Sequence, residues 1–192
     1  NCRYLDGFTI QNSNDENYHH VLASNNHTVY MNLIVQNNYG TPIYSSYSGL
    51  YVYDCVIKNN QTNGNGGGIY ISGTATLDGN PDHIIDNVQF INNSCTAEGG
   101  AIGIDGYSEI QINNSLITGN HSDDKGGAIC VRSGSNPATI EINNSTIAYN
   151  TSDGSDGHGV GDIFDYHPGS ESHSYFIINN SIIWDDNILV TS

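Results

Sequence analysis

One motif recurs along the chain and restricts its fold more than any other feature: apolar-x-Asn-small-x-apolar-x-x-Asn. Full copies read VYDCVIKNN from Val52, IDNVQFINN from Ile85, INNSLITGN from Ile112, INNSTIAYN from Ile142 and INNSIIWDD from Ile178. Weaker copies are LDGFTIQNS from Leu5 and YMNLIVQNN from Tyr30. A second motif follows several of them: GGGIYI at Gly66, GGAIGI at Gly99, GGAICV at Gly126 and a degenerate VGDIFD at Val160. Seven copies at intervals of 22 to 36 residues fill the chain, and such self-similarity is the signature of a solenoid.

The apolar segments are short and alternate with period two, which is the pattern of strands and not of helices. In the copy around Ile112, Ile110 and Ile112 point inward, Asn113-Asn114 bends the chain, and Ser115 and Ile117 resume the inward direction. Gly126-Gly127 then turns the chain into a third strand with Ile129 and Val131 inward. Three short strands per coil stack into three parallel sheets around a thin core, at roughly 4.8 Å per coil. The expected fold is therefore all-β, a single-stranded parallel β-helix of about seven rungs over residues 1–192. Its right hand follows from the general preference of parallel crossovers.

Columns of equivalent residues follow from this register. The Ile117 column holds Ile10, Val35, Ile57, Phe90, Ile147 and Ile183, and the Ile129 column holds Ile69, Ile102 and Ile163. The Ser115 column holds Phe8, Leu33, Cys55, Val88, Ser145 and Ser181. Asn38, Asn60, Asn93, Asn120 and Asn150 form a further column at a bend, where Asn bonds neighbouring backbone, tolerates left-handed dihedrals and stacks on its own copies. Cys55 and Cys130 fall on different sheets, so no direct bridge joins them, and the absence of a CxxC pair argues against zinc.

Composition excludes several functions. With 20 acidic and 4 basic residues the net charge is −16, and a nucleic-acid binder needs clustered Lys and Arg instead. No apolar run is long enough for a membrane span. The chain opens directly on NCRYLDGFTIQN, patterned like structure and without a secretory signal, as an internal segment of a larger extracellular protein or a stacking subunit would.

The DGFTIQN at Asp6, the GGGIYI and GGAI turns, the INNS strands and the SIIWDDN at Ser181 resemble secreted right-handed parallel β-helix repeat proteins. These include microbial surface proteins, adhesin-like proteins and polysaccharide-degrading enzymes of the pectate-lyase-like superfamily. The GGAI turn with an Asn-rich strand is also similar to chlamydial polymorphic outer-membrane proteins and methanogen adhesin-like proteins. The resemblance implies the fold and a secreted or cell-surface location, and leaves function open, because one scaffold carries lyases, hydrolases, adhesins and stalks.

Candidate sites compete with bland readings. A lyase of this fold needs a basic residue near calcium, which points to Asp123, Asp124, Lys125 and Arg132. A hydrolase needs paired carboxylates, from Asp105, Asp123, Asp124, Asp162 and Asp165, yet no spacing selects a pair. The run TSDGSDGHGVGDIFD supplies Asp153, Asp156 and Asp162 between glycines, as hard oxygen ligands for calcium; a solvated acidic loop is the alternative.

Eight N-x-S/T sequons stand at Asn26, Asn60, Asn92, Asn113, Asn120, Asn143, Asn150 and Asn179 as glycosylation candidates, although an Asn-rich repeat also produces sequons by chance. The outward positions Tyr4, Val29, Met31, Tyr51, Tyr53 and Ile84 form an apolar patch on rungs one to four, which marks an interface or ligand surface. Tyr39, Tyr44 and Tyr47 are expected in loops beside it. Two readings follow: a non-catalytic, adhesin-like or structural module that displays a surface to glycans or stacks on itself into a filament, and a fragment of a polysaccharide lyase or glycoside hydrolase.

Overall fold

A computed structural model describes residues 3–14, 20–24, 26–73, 82–132, 137–154, 163–166 and 173–184. Every strand pairing in it is parallel and joins one copy of the repeat to the next. The chain is a parallel β-helix, right-handed as the crossover preference requires. In the coil from Leu50 to Ser72, the strand Leu50–Tyr53 lies in sheet I, Val56–Lys58 in sheet II, Gln61–Thr62 in sheet III and Ile69–Ser72 in sheet IV. Sheets I and II have seven strands each, sheet IV six and sheet III four.

Sheet III corrects the expected three-sheet cross-section. Its strands are two residues long, Gln61–Thr62, Ser94–Cys95, His121–Ser122 and Thr151–Ser152. Two residues are too few for alternation to be read from sequence; their pairing becomes visible only when the coils are stacked.

The inward columns assemble in the expected register. Val35, Ile57, Phe90, Ile117 and Ile147 are fully buried in sheet II, and Ile43, Ile69, Ile102 and Ile129 face them from sheet IV. Ile10 and Ile183 pack on this core from its two ends, while Phe8 is 56% exposed. The Ser115 column shrinks toward the C-terminus because its hydroxyls become acceptors. Val88 N–H donates to Ser115 Oγ at 3.1 Å, Ser115 N–H to Ser145 Oγ at 3.1 Å and Ser145 N–H to Ser181 Oγ at 3.0 Å.

Asn38, Asn60, Asn93, Asn120 and Asn150 are each 3% exposed or less and form a continuous amide ladder. The Nδ2 of each of the first four donates to Oδ1 of the next copy at 2.9–3.0 Å. The same amide donates to the carbonyl of Ile10, Val35, Ile57 or Phe90 in the preceding copy. The backbone N–H of each of these four residues donates to Oδ1 of the next copy at 2.9–3.2 Å. Both amide hydrogens and the carbonyl oxygen are thus used, as burial demands.

The left-handed conformation belongs to a different residue. Asn37, Asn59 and Asn92, with φ near 54°, 53° and 54°, precede the ladder residues, and Gly119 and Tyr149 replace them in later copies. A doubled Asn therefore encodes a bend followed by a ladder rung.

A titratable side chain interrupts one inward column, which also holds the buried Thr28. His83 stands between Leu50 and Ile110, is 1% exposed, and accepts the Leu50 N–H on Nδ1 at 3.2 Å. Its Nε2 has no partner. Burial, with His27 nearby, lowers its pKa to about 4, so the ring is neutral in the folded chain. Above pH 6.5 folded and unfolded chains are both neutral here; below it the unfolded chain takes up the proton first. Stability is expected to fall by about 3 kcal/mol from this residue as pH drops through the window from 6.5 to 4. His83→Asn retains an acceptor and removes the titration, so urea midpoints measured across that window should decline less in the variant. Parallel declines in the two proteins would show that His83 does not titrate as described.

Candidate functional site

The turns that link sheet III to sheet IV stack Asn65, Glu98 and Lys125, each immediately before a Gly-Gly pair. Glu98 N–H donates to Asn65 Oδ1 at 3.1 Å. Arg132 leaves the neighbouring strand one coil beyond Asp105, and its guanidinium lies 2.9 Å from Asp105 Oδ2 and 3.9 Å from Glu98 Oε2. Tyr70 Oη donates to the same Asp105 oxygen at 3.2 Å. Lys125 is buried, with Nζ 3.6 Å from Asp124.

The fold thus gathers Asp124, Lys125 and Arg132 in one region and adds Asp105 and Glu98. Desolvation raises the Glu98 pKa against the opposing pull of Arg132 and Lys125, and the Asp105 hydrogen bond raises that of Arg132 above the ordinary arginine value. A catalytic base must release its proton and reach a substrate. Here Arg132 is forked between two carboxylates and Lys125 is buried, so their charges balance the turns. Glu98 escaped the sequence reading, although registering Glu98-Gly99-Gly100 above Lys125-Gly126-Gly127 would have put opposite charges on adjacent coils.

Asp123 is separated from that cluster. It faces His121, whose Nε2 lies 3.2 Å from Asp123 and 3.7 Å from Asp153, while Nδ1 lies 2.9 Å from Thr151 Oγ1. Asp153 is thereby placed beside His121, whereas Asp156 and Asp162 lie outside the described residues. Among the described residues no three His, Cys, Asp or Glu side chains are grouped to hold a metal ion. Asp165 accepts the Ser174 N–H at 2.9 Å, remote in the chain from Asp123 and Asp124. Cys55, Cys95 and Cys130 are buried free thiols. Burial pushes the first two to about 11 and about 12, so they behave as small apolar side chains.

The outward face of sheet I carries Tyr4, Val29, Tyr51 and Ile84 in one column and Met31 and Tyr53 in the next. Tyr4 is 61% exposed and the others are half-buried; Tyr4 Oη donates to Met31 Sδ at 3.2 Å. Farther along, the same face becomes polar through Gln111, Glu141 and a second ladder, Asn179 to Asn143 to Asn113 at 3.0 and 2.9 Å. Tyr39 and Tyr44 lie away from this face, contrary to expectation, and Tyr47 stands in the turn that leads into it. Tyr44 lies in sheet IV, Tyr47 follows that strand, and Tyr39 sits at the corner where sheet III begins. Tyr44 stacks between His20, at 3.8 Å and 13°, and Tyr70, at 5.7 Å. These rings spend their faces on one another.

Burial corrects part of the glycosylation reading. Asn60, Asn120 and Asn150 are 1% exposed, with both amide hydrogens donated, so attaching a sugar to any of them is incompatible with the folded ladder. Asn113, Asn143 and Asn179 belong to the outer ladder, and Asn26 and Asn92 are exposed.

Residues 54–72, 87–105 and 114–132 match the repeat of the Chlamydia polymorphic membrane protein family. Each match begins on the left-handed residue after sheet I, Asp54, Asn87 or Asn114, and ends on the last residue of a sheet IV strand. The repeat is therefore the bend, sheet II, sheet III, the glycine turn and sheet IV of one coil. The three matches cover under a third of the chain. No curated protein and no solved structure matches it. Among the described residues no helix is long and apolar enough to cross a membrane.

Proposed function

We propose that this chain is a non-catalytic, adhesin-like display module, exposed at a cell surface as part of a larger protein. The observation that carries the reading is the threefold match to a repeat of membrane proteins. It is supported by the use of the polar groups: the five ladder asparagines, the serine column and the Glu98–Lys125–Arg132 cluster all serve coil stacking or charge balance. A rigid rod of this kind presents loops and outer faces without rearrangement, so contact costs little ordering entropy. The half-apolar outer face of sheet I is the surface for self-association or for a partner.

Antibodies against the folded chain are expected to bind intact cells that produce the full-length protein, and added protease should remove the signal. A signal obtained only after lysis would reject surface display. The purified chain should release no product from polygalacturonate or neutral polysaccharides, with or without calcium. Release that Asp124→Ala abolishes would establish the enzyme reading instead.

A further inference from the structure

We propose that the outer corner between sheets II and III, at the N-terminal end of the coil, binds an uncharged, polyhydroxylated ligand: a neutral oligosaccharide lying along the helix axis. The proposal deepens the display reading, on which it rests only for its biological setting.

Among the described residues, the corner holds an open cleft of about 400 Å³ whose lining side chains are all uncharged, in a chain of net charge −16. Asn12, Asn37 and Asn59 line it from three successive coils, and Asn14, Gln61 and Tyr39 complete its rim. The three bend asparagines are exposed and left-handed, with φ of 61°, 54° and 53°. The bends are locked by backbone bonds between coils, Asn12 N–H to Asn37 O at 3.2 Å and Asn37 N–H to Lys58 O at 3.3 Å. Their carboxamides are thus held on fixed backbone.

These amides are also unspent. Among the described residues, the side chains of Asn12, Asn14, Asn37, Asn59 and Gln61 have no hydrogen-bond partner. Many other amides on this scaffold are paired: Gln36 with Gln11, Asn32 with Asp6, Asn87 with Asp54, Asn143 with Asn113. Five free carboxamides facing one cleft offer donors and acceptors side by side, which complements neighbouring hydroxyls. Tyr39 adds a ring fixed by its hydroxyl on Asn63 Oδ1 at 2.7 Å, an apolar surface with a polar tip suited to a sugar. Successive amides advance by about 4.8 Å per coil, comparable with one pyranose ring of an extended chain. The anionic chain as a whole repels acidic glycans, which selects neutral ones.

The test uses isothermal titration of the chain with cellohexaose, mannohexaose, the hexamer of N-acetylglucosamine, and hexagalacturonate as the anionic control. At least one neutral hexamer is expected to bind and hexagalacturonate is not. Asn37→Gly combined with Asn59→Gly keeps the left-handed bends and should weaken binding by about tenfold or more, as loss of these hydrogen bonds requires, with Tm unchanged. Tyr39→Ala should weaken it separately. No binding of any neutral hexamer at millimolar concentration, equal binding of hexagalacturonate, or undiminished binding by the double glycine variant would each overturn the proposal. Surface labelling of intact cells separates the two readings: a labelled protein that binds no hexamer rejects the cleft alone, and a hexamer-binding protein inaccessible on cells rejects display alone.

Discussion

Gly100→Ala is expected to cost about 3 kcal/mol or more, as much as many core truncations, although the residue does not have a left-handed backbone. A Cβ at Gly100 would fall against the carbonyl oxygen of Gly127 and 2.7–2.8 Å from backbone atoms of His121. These are main-chain atoms of the next coil, and they cannot rotate away. Moving that coil would strain the bonds that set the spacing, Gly67 N–H to Gly99 O at 3.1 Å and Gly100 N–H to Gly126 O at 2.9 Å. Gly7→Ala is the control: its φ is +75° but nothing lies within 4 Å of the added carbon, so its cost should be about 1 kcal/mol. Urea unfolding followed by circular dichroism measures both. A smaller loss for Gly100→Ala than for Gly7→Ala would show that coil stacking does not exclude a side chain there.

Asn93→Ala is expected to destabilise the chain by about 2–6 kcal/mol, since each of the two buried donors left unpaired costs about 1–3 kcal/mol. Asn93 Oδ1 accepts the Asn60 N–H at 3.2 Å and the Asn60 amide at 2.9 Å. Its Nδ2 supplies Ile57 O at 2.9 Å and Asn120 Oδ1 at 3.0 Å. Truncation orphans the Asn60 N–H and one Asn60 amide hydrogen, removes one donor from Ile57 O, a ladder carbonyl of sheet II, and leaves Asn120 Oδ1 with the Asn93 backbone N–H. Asn38→Ala should cost less, because Asn38 Oδ1 accepts only the Ser13 N–H from the coil before it. A mid-rod defect also separates nearest-neighbour coupling between the two ends, so the Asn93 variant should unfold less cooperatively, with a smaller m-value. Equal losses at the two positions would mean that the ladder acts as independent caps.

The site was less legible than the scaffold, for a reason visible in particular residues. Asp105 and Arg132 are 27 residues apart in sequence, yet their contact follows from register, since each ends a sheet IV strand in successive coils. Glu98 is an isolated acid in the sequence, and only its position above Lys125 makes it the centre of a charge cluster. Tyr39, Tyr44 and Tyr47 are close in sequence, but a coil turns corners every few residues and distributes them to different faces. The three buried sequons illustrate the converse. Asn60, Asn120 and Asn150 satisfy a modification pattern that is local in sequence, whereas their availability depends on coils that arrive before and after them.

The repeat by itself determined the all-β class, the parallel stacking, the inward columns and the position of the amide ladder, because each coil uses the same period-two pattern and the same bend chemistry. Tertiary structure alone decided the two-residue sheet III, the division of labour within each doubled Asn, and which polar groups remain unspent. Hydrogen-bond satisfaction is a property of neighbouring coils: Asn60 and Asn59 are identical in composition and adjacent in sequence, yet stacking buries the amide of one in the ladder and turns the other outward into a neutral cleft.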